Sequence, residues 1–240
     1  MGDPESGEGF DEQVGRIAAL AEPIRLALFR YVTAEREPVG REQAASAVGV
    51  APHTAKFHLD RLESGGLLES EYSRPPDRRG PGAGRPAKRY RRSGRALSVS
   101  VPERRYDIAA QVMARAITEA SRSATPIAGA VHDAAVGAGQ ELGRLVSTRL
   151  GRRRSRAARN RAISEVLAQY GYEPRRRDGG VELANCPFHV LAEQHADLVC
   201  GMNLDLIDGM LQACELHGVR ATLDPAPDRC CVTISSEQDA

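Results

Sequence analysis

All five cysteines of this chain, Cys186, Cys200, Cys214, Cys230 and Cys231, fall within its last 55 residues, and the 185 residues before them contain none. That confinement divides the 240 residues chemically before any element is assigned. An odd number of thiols argues against a disulfide framework, and thiols gathered in a reducing compartment bind metal or report redox state. The acidic, Gly-rich start Met1 to Phe10 lacks the apolar core of a signal peptide, and no run approaches the ~18 apolar residues of a membrane span. A cytoplasmic protein without a membrane segment is the expectation.

Charge is segregated in the same sense. Eight bases and no acid lie between Arg78 and Arg95, whereas nine acids face two bases, Arg220 and Arg229, from Cys186 onward. A polyanion attracted by the first region is repelled by the second, which suggests two modules with different partners.

Local patterns supply an α+β reading. Val14 to Thr33 carries Ile17, Leu20, Ile24, Leu28 and Tyr31 at helical spacing around Pro23. Arg41 to Val48 reads as a short helix, Gly49-Val50-Ala51 as a turn, and Pro52 to Ser64 as a helix opened by its proline and stopped by Gly65-Gly66. Two helices joined by a Gly-containing turn form a helix-turn-helix. Leu67 to Ser73 and Lys88 to Arg92, flanking a Pro/Gly/Arg loop, add a hairpin wing. The expected domains are a disordered terminus (1–13), a winged helix-turn-helix (14–100), a helical dimerisation linker (101–157) and a small α+β sensor (158–236). Ala-rich stripes in Arg104 to Ser121 and in the helix from Thr125-Pro126 to Leu150 motivate the dimer, because operator half-sites are commonly read by two-fold proteins. A second basic cluster, Arg149 to Arg161, reads as a linker or solvated helix end.

The segments Leu20 to Leu28, His53 to Leu68 and Gly84 to Tyr90 resemble the winged-helix domains of ArsR- and DeoR-type bacterial repressors. The resemblance implies a duplex DNA operator. Its candidate contacts are His53, Thr54, Lys56, His58 and Arg61 on the recognition helix, with Arg78, Arg79, Arg85, Lys88 and Arg89 in the wing.

Further on, Ala162 to Tyr170 reads as a helix, and Tyr172 to Arg177 with Val181 to Asn185 as a hairpin around Asp178-Gly179-Gly180. Pro187 opens a helix, Asn203 caps another running to about Leu216, and Val219 to Leu223 pairs with Arg229 to Ile234. Cys186 and His189, three apart at a helix start, face one way. A straight helix would hold Cys200 ~20 Å from Cys186, so a shared centre needs a break near His195 and a return before Asn203. Cys214, deep in the helix capped by Asn203, lies too far along it to join. Cys230 and Cys231, adjacent in a strand, point to opposite faces, so one of the two faces any metal.

Asn185-Cys186, Val199-Cys200, Cys214 and Arg229-Cys230, with thirteen, thirteen and fifteen residues between successive cysteines, are similar to the C-terminal domain of the SufR iron-sulfur repressors. The resemblance implies that Cys186, Cys200 and Cys230 hold a [4Fe-4S] cluster, with a [2Fe-2S] cluster or zinc as alternatives. His189, then His195, are the candidates for the fourth ligand. Competing readings are a zinc-holding ArsR-like factor, which the absence of Cys-x2-Cys pairs disfavours, a thiol redox enzyme, and thiols packed as small apolar side chains. No Gly-rich phosphate loop, Gly-x-Ser-x-Gly or His-Glu-x-x-His occurs, so a regulator rather than an enzyme is expected.

Overall fold

The computed structural model describes residues 10–73, 86–95, 97–152, 155–177, 179–214 and 218–236. It separates into two compact units, Met1–Val99 and Ser100–Ala240, with distinct hydrophobic cores.

The first unit begins with α1 (Phe10–Ala19) and α2 (Pro23–Ala34). The single helix expected from Val14 to Thr33 is broken at Pro23, which cannot continue a preceding helix but suits a first turn. Glu22 caps the new helix, its carboxylate accepting from the backbone N–H groups of Ile24 (3.0 Å) and Arg25 (2.7 Å). Helix α1 starts inside the stretch expected to be disordered. After β1 (Val39–Gly40) come α3 (Arg41–Val48) and α4 (Pro52–Ser64), joined by a turn in which Gly49 takes φ 75°, a left-handed conformation suited to glycine. Strands β2 (Leu68–Ser73) and β3 (Ala87–Arg92) are antiparallel, in a sheet of order β1-β3-β2. The core is Leu28, Val32, Ala55, Leu59, Leu62 and Tyr90 with their neighbours. Arg78, Arg79 and Arg85 lie outside the described residues.

The second unit places α5 (Tyr106–Ser123), α6 (Ile127–Leu150) and α7 (Arg156–Gln169) before a sheet of order β4-β5-β7-β6, formed by β4 (Pro174–Arg177), β5 (Gly180–Leu183), β6 (Val219–Leu223) and β7 (Val232–Ser236). Between β5 and β6 run α8 (His189–Gln194) and α9 (Ala196–Ala213). Three sequence expectations change here. Helix α7 begins at Arg156 rather than Ala162, because the Ser155 side chain accepts from Ala158 N–H and caps it. Asn203 does not start a helix: it lies fully buried in the middle of α9. Strand β7 starts at Val232, so Cys230 and Cys231 precede it instead of alternating within it.

The α6 stripe of Ala135, Ala138, Leu142 and Val146 packs in the same core as Val199, Leu206 and Met210 of α9, so it does not by itself require a second subunit. Glycines allow that approach. A Cβ at Gly143 would meet the Met210 carbonyl oxygen at 2.5 Å and Ala213 Cβ at 2.6 Å, whereas one at Gly137 meets nothing within 4 Å. Gly143→Ala therefore lowers stability by about 1–3 kcal/mol through overpacking. Gly137→Ala on the same helix is neutral or stabilising, by up to about 1 kcal/mol. Thermal melts of the two variants check the contrast.

Candidate functional site

Helix α4 presents His53, Lys56, Phe57 and Arg61 outward while Ala55, Leu59 and Leu62 face the core. With Asp60 and Ser64 the outward residues line a shallow groove along the helix. Thr54 is half-buried, and His58 turns inward, its Nδ1 3.4 Å from Glu22 Oε2. Phe57, 66% exposed, was not among the residues singled out from sequence. Its position four residues from both His53 and Arg61 is the signal that identifies it, since such spacing shares one helical face. A Phe there suits apolar contact with a thymine methyl in the major groove.

Two of the wing cations, Lys88 and Arg89, have partners within the unit. Lys88 Nζ lies 2.9 Å from Asp60 Oδ1 and 2.5 Å from Glu63 Oε2, and 5.1 Å from the Tyr90 ring centroid. Arg89 Nε donates to the Pro38 carbonyl at 2.7 Å, tying β3 to the chain before β1. Lys56 pairs with Asp60 at 2.7 Å but remains half exposed. Asp60 is the hub, since the buried Tyr90 hydroxyl also donates to it at 2.6 Å. Burial alone would raise the Asp60 carboxyl, yet hydrogen bonds from Lys56, Tyr90 and Lys88 hold it well below the usual carboxylate range. A depressed folded-state value means that this stabilisation is present above the unfolded carboxylate value of about 3.9 and is lost as pH falls below it. Asp60→Ala orphans the buried Tyr90 hydroxyl and costs about 1–3 kcal/mol in the first unit. Chemical denaturation at pH 7 measures the loss, and the difference from the parent protein should shrink as pH falls below about 4.

In the second unit, Cys186 follows β5, Cys200 sits in the second turn of α9, and Cys230 and Cys231 lie in the bend before β7. Their side chains neighbour one another in a string, Cys186 beside Cys230, Cys230 beside Cys231 and Cys231 beside Cys200, close enough for each thiol to perturb the next. Cys186 and Cys230 are buried, and Cys200 and Cys231 are half-buried. The hydrogen bond from Cys230 pulls the Cys186 thiol below its ordinary value, with help from the Phe188 backbone N–H. The same bond pushes Cys230 up to about 12. Burial, then contact with Cys231, pushes Cys200 up to about 12, and its bond to Cys230 raises Cys231 further.

Backbone contacts fix the string. Cys230 N–H donates to the Leu183 carbonyl at 2.8 Å, and Asp224 N–H donates to that of Cys231 at 2.7 Å. Arg104 reaches the same loop, its guanidinium donating to Asn185 Oδ1 (2.6 Å) and to the Cys186 carbonyl (2.8 Å). Cys214 stands apart, its sulfur against the carbonyls of Gly143 and Met210.

The structure therefore brings Cys186, Cys200 and Cys230 together and adds Cys231, which strand alternation would have turned away. It does not bring His189, whose Nε2 lies 3.2 Å from Glu193 Oε1 at the surface, and it leaves His195 exposed between α8 and α9. The fourth side chain beside the three expected sulfurs is a thiol rather than an imidazole. Among the described residues, no three His, Cys, Asp or Glu side chains are grouped so as to hold a single metal ion.

Residues 20–71 match the family of helix-turn-helix domains. The match spans α2 to α4 and ends in β2, and it supports a DNA-binding transcription regulator rather than an enzyme. No curated protein and no solved structure matches the chain. Among the described residues no helix is long and apolar enough to cross a membrane.

Proposed function

We propose that this protein is a transcriptional repressor whose affinity for its operator is set by an iron-sulfur cluster held by Cys186, Cys200, Cys230 and Cys231. The observation that carries the reading is the string of four sulfurs, drawn from three separate segments of one core. Four thiolates are the usual donor set of [2Fe-2S] and [4Fe-4S] clusters. In a [4Fe-4S] cluster each thiolate holds its own iron, so the sulfurs need not converge on one point as they must around tetrahedral zinc. Among the cluster forms, [4Fe-4S] is the one that the SufR resemblance implies.

When bound, the cluster supplies sensitivity to oxygen and iron supply. The protein's part is to keep Cys186 and Cys230 away from solvent and to link the Cys186 loop to the start of the second unit through Arg104. Phosphate contacts from exposed bases on and around α4 supply salt-dependent affinity, and the outward residues of α4 read base edges. Two copies acting on a two-fold operator complete the reading.

The test is anaerobic purification of the full chain with iron, sulfide and zinc analysis and a visible spectrum. Binding to duplexes selected from a random pool follows, with loaded and stripped protein. Equal iron and sulfide, a coloured protein and different affinities in the two states are the expected result. A colourless protein with stoichiometric zinc, or iron without effect on DNA affinity, overturns the proposal.

A further inference from the structure

A fully buried asparagine in the middle of a helix calls for an explanation, because helix propensity and desolvation both disfavour it there. Asn203 of α9 is 0% exposed and Tyr172, before β4, is 3% exposed. The Tyr172 hydroxyl donates to Asn203 Oδ1 at 2.5 Å, and Asn203 Nδ2 donates to Cys230 Sγ at 3.2 Å. Cys200 lies three residues before Asn203 on the same helix, so α9 delivers a thiol and an amide from one face.

The order of the relay matters. With its oxygen committed to the tyrosine proton, the amide can offer only N–H to the sulfur. A neutral thiol both donates and accepts, but a metal-bound sulfur has no proton and only accepts. A side chain locked as a donor therefore favours the bound form of Cys230.

We propose that Tyr172 and Asn203 are positioning residues for the cluster site: they supply a fixed N–H donor to Cys230 that slows release of iron and raises the reduction potential. The inference rests on the cluster reading above and adds the residues that tune it. Hydrogen bonds to cluster sulfurs are a recognised control of potential, because a donor stabilises the more electron-rich, reduced state. Outer-shell partners of metal ligands have comparable leverage on retention.

The experiment uses the full chain, reconstituted anaerobically, as the parent protein, Tyr172→Phe and Asn203→Leu. Tyr172→Phe removes one buried oxygen and unlocks the amide, whereas Asn203→Leu deletes the donor and is the better helix former. Both variants should load iron, release it to a chelator about tenfold faster, and show a more negative potential in a redox titration. Potentials and release rates equal to the parent's, in variants that load iron, overturn the inference while leaving the cluster reading intact. A parent protein that takes up no iron and sulfide overturns the cluster reading, and this inference with it. Should Asn203→Leu fail to fold in a thermal melt, Tyr172→Phe alone decides.

Discussion

Serine at Cys231 should strip the anaerobically purified protein of its iron as fully as serine at Cys186, Cys200 or Cys230, while Cys214→Ser should leave the iron bound. The loss at each of the four should exceed about tenfold, since outer-shell substitutions alone cost about 10–100-fold in metal affinity. Cys231 carries the greatest weight, because its thiol neighbours those of both Cys230 and Cys200. Cys214 behaves otherwise for two reasons. It ends α9, so the fourteen residues from 200 to 214 put about 20 Å between it and Cys200, at about 1.5 Å per residue. Its sulfur also faces main-chain carbonyls of the α6–α9 contact, Gly143 at 3.3 Å and Met210 at 3.0 Å. Its replacement should appear as a small fall in melting temperature. Iron content and melts measured on the five single variants separate a shared site from scattered packing thiols: iron unchanged in Cys231→Ser would return the fourth position to another donor.

The DNA-reading helix was legible because its determinants are local. Pro52 at the first turn, Gly49 after α3 and Gly65-Gly66 after α4 act within a few residues of where they stand, and the structure follows them. The gathering of Cys186, Cys200 and Cys230 could be anticipated from the family resemblance, and the separation of Cys214 from helix geometry, although the helix carrying Cys214 starts eight residues earlier than the sequence suggested. What stayed hidden depends on partners remote in the chain. Asn203 looks like a helix cap, and only a tyrosine 31 residues away and a sulfur 27 residues away explain why it sits inside α9. Cys231 was set aside by the two-residue period of a strand, which does not apply in the bend before β7. Lys88 looks like a phosphate contact in a run of bases, but Asp60 and Glu63 engage it from 28 and 25 residues away. The two-residue strand β1 exists because Tyr90 and Arg89 pair with it, and a segment that short carries no period of its own.

Arg104→Ala should leave the cluster in place and abolish its influence on DNA binding. Arg104 lies four residues after the chain enters the second unit at Ser100, and its backbone N–H donates to Ser100 Oγ at 2.7 Å. Its guanidinium holds the carbonyl of Cys186 and the side chain of Asn185, whose amide in turn donates to the carbonyls of Glu103 (3.1 Å) and Gly171 (2.6 Å). Arg105 N–H adds a bond to the Pro187 carbonyl at 3.1 Å. The segment 103–105 is thus stitched to the loop that carries Cys186, and on the proposed reading a shift of that loop on cluster loss would reach the residues that follow the DNA-reading unit in sequence. Two sites coupled through such an element typically influence each other by about 5–150-fold in affinity. In the parent protein, loaded and stripped forms should differ within that range on a selected duplex. In Arg104→Ala the ratio should fall to about 1 with iron content unchanged, because the guanidinium bonds the ligand's backbone rather than its sulfur. Arg104→Lys keeps a cation able to reach one of the two acceptors and should retain part of the ratio. Iron retained together with full discrimination in Arg104→Ala would place the coupling elsewhere. Iron lost in Arg104→Ala would make Arg104 a support of the sulfur site itself.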